Sequence, residues 1–175
     1  MDSRLAHLFT CIVSGPTDSG KSVFTLKLIE HAREIISPSP ERILYCYGEY
    51  QQIFYNYPGI EFQDGLPEVS SFDGKKRTLL VMDDLITSTD DGVVDIFTKI
   101  SYDRNLSVVY LTQNLFYKNK QTRTLSSNSH DIVLFKNARY ATQVRCTPVK
   151  VHLWSQRLKM QQVLHKGIYW SILNK

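Results

Sequence analysis

The stretch Gly15-Pro16-Thr17-Asp18-Ser19-Gly20-Lys21-Ser22 limits the fold of this chain more than any other. It fits the spacing G-x-x-x-x-G-K-[ST], in which glycines at both ends let the backbone curl and aim its N–H groups at phosphate oxygens. In that pattern the lysine reaches the β- and γ-phosphates and the hydroxyl residue binds magnesium. The flanks agree with it. Residues 8–14, Leu-Phe-Thr-Cys-Ile-Val-Ser, form an apolar run suited to a buried strand. Beyond the loop, apolar residues at Phe24, Leu28, Ile29, Ala32, Ile35 and Ile36 fall on one face of a helix expected to run to Ile36. Such a helix turns its positive end toward the loop. All eight residues, Gly15, Pro16, Thr17, Asp18, Ser19, Gly20, Lys21 and Ser22, are therefore read as a nucleotide-binding loop of the Walker A type, with ATP and Mg²⁺ as its expected ligands.

The remaining elements alternate. Strands are expected over Arg42–Tyr47, residues 60–62 and 78–82, residues 107–112, and Asp131–Phe135. Helical patterns lie over residues 50–57 and 91–100, the second with Val93, Val94, Phe97 and Ile100 on one side. Near-continuous apolar strands separated by helices predict an α/β fold: a mostly parallel sheet with helices on both faces. The chain has 175 residues, enough for a sizeable core. Residues 1–145 read as one P-loop domain and 146–175 as a basic C-terminal tail, in which Trp154, Leu158, Val163 and Leu164 would share one face of a helix. No apolar run reaches the ~18 residues of a membrane span, and the first residues lack a secretory signal layout. Cys11, Cys46 and Cys146 are isolated; the first two sit in strand candidates and read as small core residues of a reducing, intracellular compartment.

Two further elements complete a candidate site. Leu79-Leu80-Val81-Met82-Asp83-Asp84 is an apolar strand ending in acids, the Walker B pattern. There Asp83 holds magnesium opposite Ser22, and Asp84 orients and deprotonates the attacking water. An Asp pair alone also suits a helix cap or a turn; the upstream loop favours the metal reading. Thr112-Gln113-Asn114 follows the 107–112 strand, and a Gln at the carboxyl end of such a strand meets a γ-phosphate or the attacking water. This polar tip fits NTPases that insert a strand between the loop strand and the acidic strand.

Charge is unevenly spread. Residues 1–116 hold 10 Lys/Arg against 16 Asp/Glu, a net −6, whereas residues 117–175 hold 11 against Asp131 alone, a net +10. The basic third suits a polyanion, most simply nucleic acid, or a solvated basic face. The tyrosines around the second strand, Tyr45, Tyr47, Tyr50, Tyr55 and Tyr57, read as core and nucleotide-adjacent packing.

The order of these motifs, with Asp103-Arg104-Asn105-Leu106-Ser107-Val108, Leu111-Thr112-Gln113-Asn114-Leu115-Phe116, Arg123-Thr124-Leu125-Ser126-Ser127-Asn128-Ser129-His130 and Ile132-Val133-Leu134-Phe135-Lys136-Asn137, resembles the genome-packaging ATPases of Polinton-type elements and adintoviruses, members of the HerA–FtsK superfamily. The resemblance covers roughly residues 9–144. Tyr102-Asp103 replace the family's usual His pair, and Asn137-Ala138-Arg139 its Asn-Pro-Arg. The resemblance implies a RecA-like ATPase ring, a homo-oligomer that drives double-stranded DNA into a capsid. It would act in the cytoplasm or nucleus of a host cell or with the virion, and a capsid or portal component would be a partner. It implies Lys21 and Ser22 on nucleotide and Mg²⁺, Asp83 on metal, Asp84 as base and Gln113 as phosphate sensor. Arg104, ahead of Arg123 and Arg139, is the first candidate for an arginine finger acting on a neighbouring subunit. The other readings are a helicase or a replication or transposition accessory NTPase, and a remnant that binds nucleotide without catalysis.

Overall fold

The computed structural model describes residues 4–85, 91–115, 120–135 and 150–154. Their core is a seven-stranded sheet in which every neighbouring pair is parallel. In chain order the strands are β1 (Leu5–Ala6), β2 (Thr10–Ser14), β3 (Ile36–Ser37), β4 (Arg42–Tyr47), β5 (Glu61–Asp64), β6 (Thr78–Asp83), β7 (Leu106–Thr112), β8 (Asp131–Phe135) and β9 (Lys150–Trp154). The large sheet runs β5-β4-β6-β7-β2-β8-β9, and β1 pairs with β3 apart from it. The helices are α1 (Lys21–Glu30), α2 (Ala32–Ile35), α3 (Gly92–Asp95), α4 (Ser101–Asp103) and α5 (Lys120–Ser127); a π-helical segment, Ile96–Ile100, joins α3 to α4.

The strand sequences explain why both faces are covered. Successive side chains on a strand point to opposite faces, and β2 and β6 are buried at every position and β7 at all but its last. On one face Cys11, Val13, Tyr45, Leu79, Val81, Val109 and Leu111 pack against Phe24, Leu26, Leu28 and Ile29 of α1. On the other, Ile12, Leu44, Leu80, Met82, Val108 and Tyr110 pack against Val93, Ile96, Phe97 and Leu125. The expected α/β class, a parallel sheet with helices on both faces, is the one observed. Strand β7 lies between β2 and β6, so the loop strand and the acidic strand are separated by the strand that carries Gln113. Cys11 and Cys46 are buried free thiols, as expected of core cysteines.

Three expectations need correction. The first helix breaks at His31, helical backbone resumes in α2 only as far as Ile35, and Ile36 is extended. Pro38 disfavours helical backbone at Ser37, and Ile36 pairs with Leu5 instead. Residues 50–57 form only a 3-10 turn over Gln52–Asn56. Trp154, placed on a helical face by its spacing to Leu158, ends strand β9, paired with Phe135 across β8. Lys-Val-His-Leu-Trp alternates with the period of a strand. Leu158, Val163 and Leu164, together with Cys146 and Arg139, lie outside the described residues.

Candidate active site

Every strand of a parallel sheet delivers its carboxyl end to the same edge, and the register aligns four of them here. Tyr47 pairs with Asp83, Asp83 with Leu111, and Ser14 with Thr112. Backbone bonds continue the alignment into the loops: Gly15 N–H donates to Thr112 O at 3.1 Å, Asp84 N–H to Leu111 O at 3.2 Å, and Gly48 N–H to Asp83 O at 3.3 Å. Residues far apart in sequence thus meet along one rim.

The 15–22 loop leaves β2 and enters α1 through Gly20, whose φ of 93° is the left-handed conformation that glycine adopts without a Cβ penalty. Gly15 is needed for space. A Cβ there would lie 2.5 Å from the Phe135 Cβ and 2.9 Å from the Ser19 Oγ. Helix α1 starts at Lys21, so the ten-residue helix directs its unpaired N–H groups at the loop. Lys21 is buried and folds back over the loop, donating from Nζ to Gly15 O and Pro16 O at 2.9 Å each. Burial pulls its ammonium below the ordinary lysine range, while Asp83, Asp84 and Asp18 act in the opposite sense. The Ser19 hydroxyl is buried in the same loop with no hydrogen-bond partner among the described residues. A buried polar atom in that condition is costly unless a ligand completes it.

Asp83 ends β6 and is buried. Its Oδ2 accepts from Ser22 Oγ at 3.0 Å and from Tyr45 Oη at 2.7 Å. Burial raises its carboxyl above the usual range, against the pull of those two donors and of Lys21. The unfolded chain releases this proton at lower pH than the native state does, so the ionised form costs native stability above the raised value. That cost disappears below the ordinary carboxylate range. Asp83→Asn is therefore expected to melt higher than the native chain at pH 7 without ligands. Calorimetric scans across pH should show the gain shrinking as the solution is acidified.

The next residue, Asp84, is exposed and adopts φ 54°, a left-handed conformation that Asp tolerates better than most residues. The turn swings its carboxylate across to β7, where Oδ2 accepts from Gln113 Nε2 at 2.7 Å. The expected trio of loop, acidic pair and Gln is thus brought together. Sequence reasoning missed two neighbours: Tyr45, grouped with the packing tyrosines, and Gln51, whose Nε2 lies 3.4 Å from Ser22 Oγ. The tyrosine cluster divides. Tyr45 is fully buried against Phe54 and Phe62, whereas Tyr50 and Tyr55 are exposed.

Arg104 stands elsewhere. It precedes β7, at the opposite end of the strand from Gln113, and donates from Nη1 to Phe72 O at 3.1 Å. There it lines a polar cavity of about 340 Å³ with Arg42, Glu61 and Lys76. It thus stands at the end of β7 away from its own chain's loop, acidic pair and Gln113. Arg123 is exposed on α5.

Among the described residues no group of three or more His, Cys, Asp and Glu side chains is placed to hold a metal. Ser22 and Asp83 instead offer two oxygens, which suits magnesium, a cation usually bound by one or two protein oxygens plus water and phosphate. No helix of the described residues is long and apolar enough to cross a membrane. A comparison of the chain with protein-family models and with curated proteins finds no match.

Proposed function

We propose that this chain is a magnesium-dependent ATPase. The observation that carries the reading is the convergence of Lys21, Ser22 and Asp83 beside the Asp84–Gln113 pair on one rim. Each has a part in phosphoryl transfer to water. The loop amides and the α1 N-terminus receive the phosphate oxygens, and Lys21 exchanges its two carbonyl partners for them. Ser22 and Asp83 hold Mg²⁺, which when bound neutralises charge on the phosphates. Asp84 takes the proton of the water that attacks the terminal phosphorus as the bond from that phosphorus to the β,γ-bridging oxygen breaks and ADP leaves, and Gln113 orients that water and the carboxylate together. The orphaned Ser19 hydroxyl supports a ligand in the loop.

The motif order supports a finer reading: hydrolysis coupled to movement of double-stranded DNA in genome packaging, by a homo-oligomeric ring working with a capsid component. The test is hydrolysis with and without duplex DNA. Stimulation by intact duplex is expected; strand displacement on forked DNA would move the assignment to a helicase. Binding of ATP without turnover would mark a non-catalytic remnant.

The basic third gives this reading a salt dependence. Lys120 and Arg123 are exposed three residues apart on α5, hence on one side of the helix. Lys118 precedes them, outside the described residues. Neutralising Lys118, Lys120 and Arg123 together should weaken duplex binding regardless of sequence. The slope of log K against log salt should fall by about one per lost phosphate contact, with ATP binding unchanged. Filter binding over a salt series measures it. Loss of DNA binding on truncation after Val144, with no effect of the triple change, would assign the attraction to the tail alone.

A further inference from the structure

We infer that Tyr45 is a positioning residue for the metal-binding pair, acting through Asp83; the inference rests on the magnesium site proposed above. Strand β4 runs beside β6, with Tyr45 opposite Val81 and Tyr47 opposite Asp83. Tyr45 and Asp83 therefore share a face of the sheet and stand in a diagonal relation that a long aromatic side chain can span. The phenol closes that diagonal with a 2.7 Å hydrogen bond to Asp83 Oδ2.

Packing alone does not require the hydroxyl. Tyr45 is fully buried, its ring 5.1 Å from that of Phe54 and 5.5 Å from that of Phe62. A phenylalanine would fill the same space, and a buried phenol is tolerated only because its O–H finds a partner. The partner is the carboxylate oxygen that Ser22 also holds. Rotation of an Asp carboxylate about its last torsion is loosely restrained. Ser22 cannot fix it alone, because the same oxygen must face the metal. Tyr45, anchored on an interior strand, keeps Oδ2 in place while Ser22 serves the ion, and so presents the carboxylate ready-oriented.

The experiment is a calorimetric titration of ATP at graded magnesium concentrations, with matched magnesium-free runs, on the native chain, Tyr45→Phe, Asp83→Asn and the double variant. Tyr45→Phe should leave magnesium-free ATP affinity unchanged. It should raise the magnesium concentration needed for half-maximal tightening by roughly tenfold, the usual cost of losing a group that orients a metal ligand. Added to Asp83→Asn, it should cost nothing more. A native-like magnesium dependence in Tyr45→Phe overturns the inference and leaves the ATPase reading standing. An equal further loss in the Asp83→Asn background overturns it too, because Tyr45 would then act on something other than Asp83. So would a Tyr45→Phe chain that fails to fold, since the hydroxyl would be serving the core. A native chain whose ATP binding ignores magnesium removes the proposed site itself, and this inference with it.

Discussion

Lys21→Ala is expected to abolish hydrolysis and most nucleotide affinity while leaving the fold in place. In the free chain the ammonium spans two loop carbonyls, Gly15 O and Pro16 O, at the mouth of α1. Pro16 is exposed and Gly15 buried, and the space left when the side chain is cut back lets water replace it as their partner. A triphosphate has no such substitute. One charge-assisted hydrogen bond is worth about 1.5–3 kcal/mol, so the loss of ground-state affinity should be about 10- to 100-fold. The effect on turnover should be larger, about a thousandfold or more, because charge on the transferring phosphoryl group peaks in the transition state. Calorimetry and phosphate release on the same preparation measure both. A native melting profile shows that the defect lies in the site.

Asp84→Asn should separate binding from chemistry. The carboxylate of Asp84 is exposed and takes the Gln113 amide on Oδ2. An asparagine retains an acceptor oxygen at that position, so the Gln113 contact and the left-handed turn both survive the change. What it loses is basicity. ATP affinity and its magnesium dependence should be native, and turnover should fall by about 10²- to 10⁴-fold, the usual share of a positioned general base. Hydrolysis that survives in Asp84→Asn, yet is lost in Asp83→Asn with binding retained, would reverse the two roles.

The parts of this site differ in how plainly the sequence announces them. The loop is legible because its chemistry is local. Gly15 and Gly20 meet demands of space and φ that few other residues meet, and strand, loop and helix follow one another directly. The expected bounds of β4 and β8 coincide with those observed, since apolar runs at 43–47 and 132–135, each opened by a charged residue, leave little choice. The Asp84–Gln113 contact was approachable too, because both residues immediately follow apolar strands. The pairing of β4 with β6 is of another kind. It depends on strand order, which no local pattern encodes, and so Tyr45 reads from sequence as one more packing tyrosine. Ile36 continues the apolar stripe of α1 and α2 yet leaves the helix, because the extended backbone before Pro38 and the pairing with Leu5 override that periodicity. In β9 the alternation of Lys150–Trp154 competes with a weak helical spacing from Trp154 onward, and pairing with β8 favours the strand.

ATP titrated into the native chain with magnesium and without it, beside Lys21→Ala, tests the magnesium-ATPase reading most directly. Saturable binding is expected, tightened by magnesium and largely lost in the lysine variant. Binding of equal strength in the native chain and in Lys21→Ala, or no binding at all by the native chain, would contradict that reading.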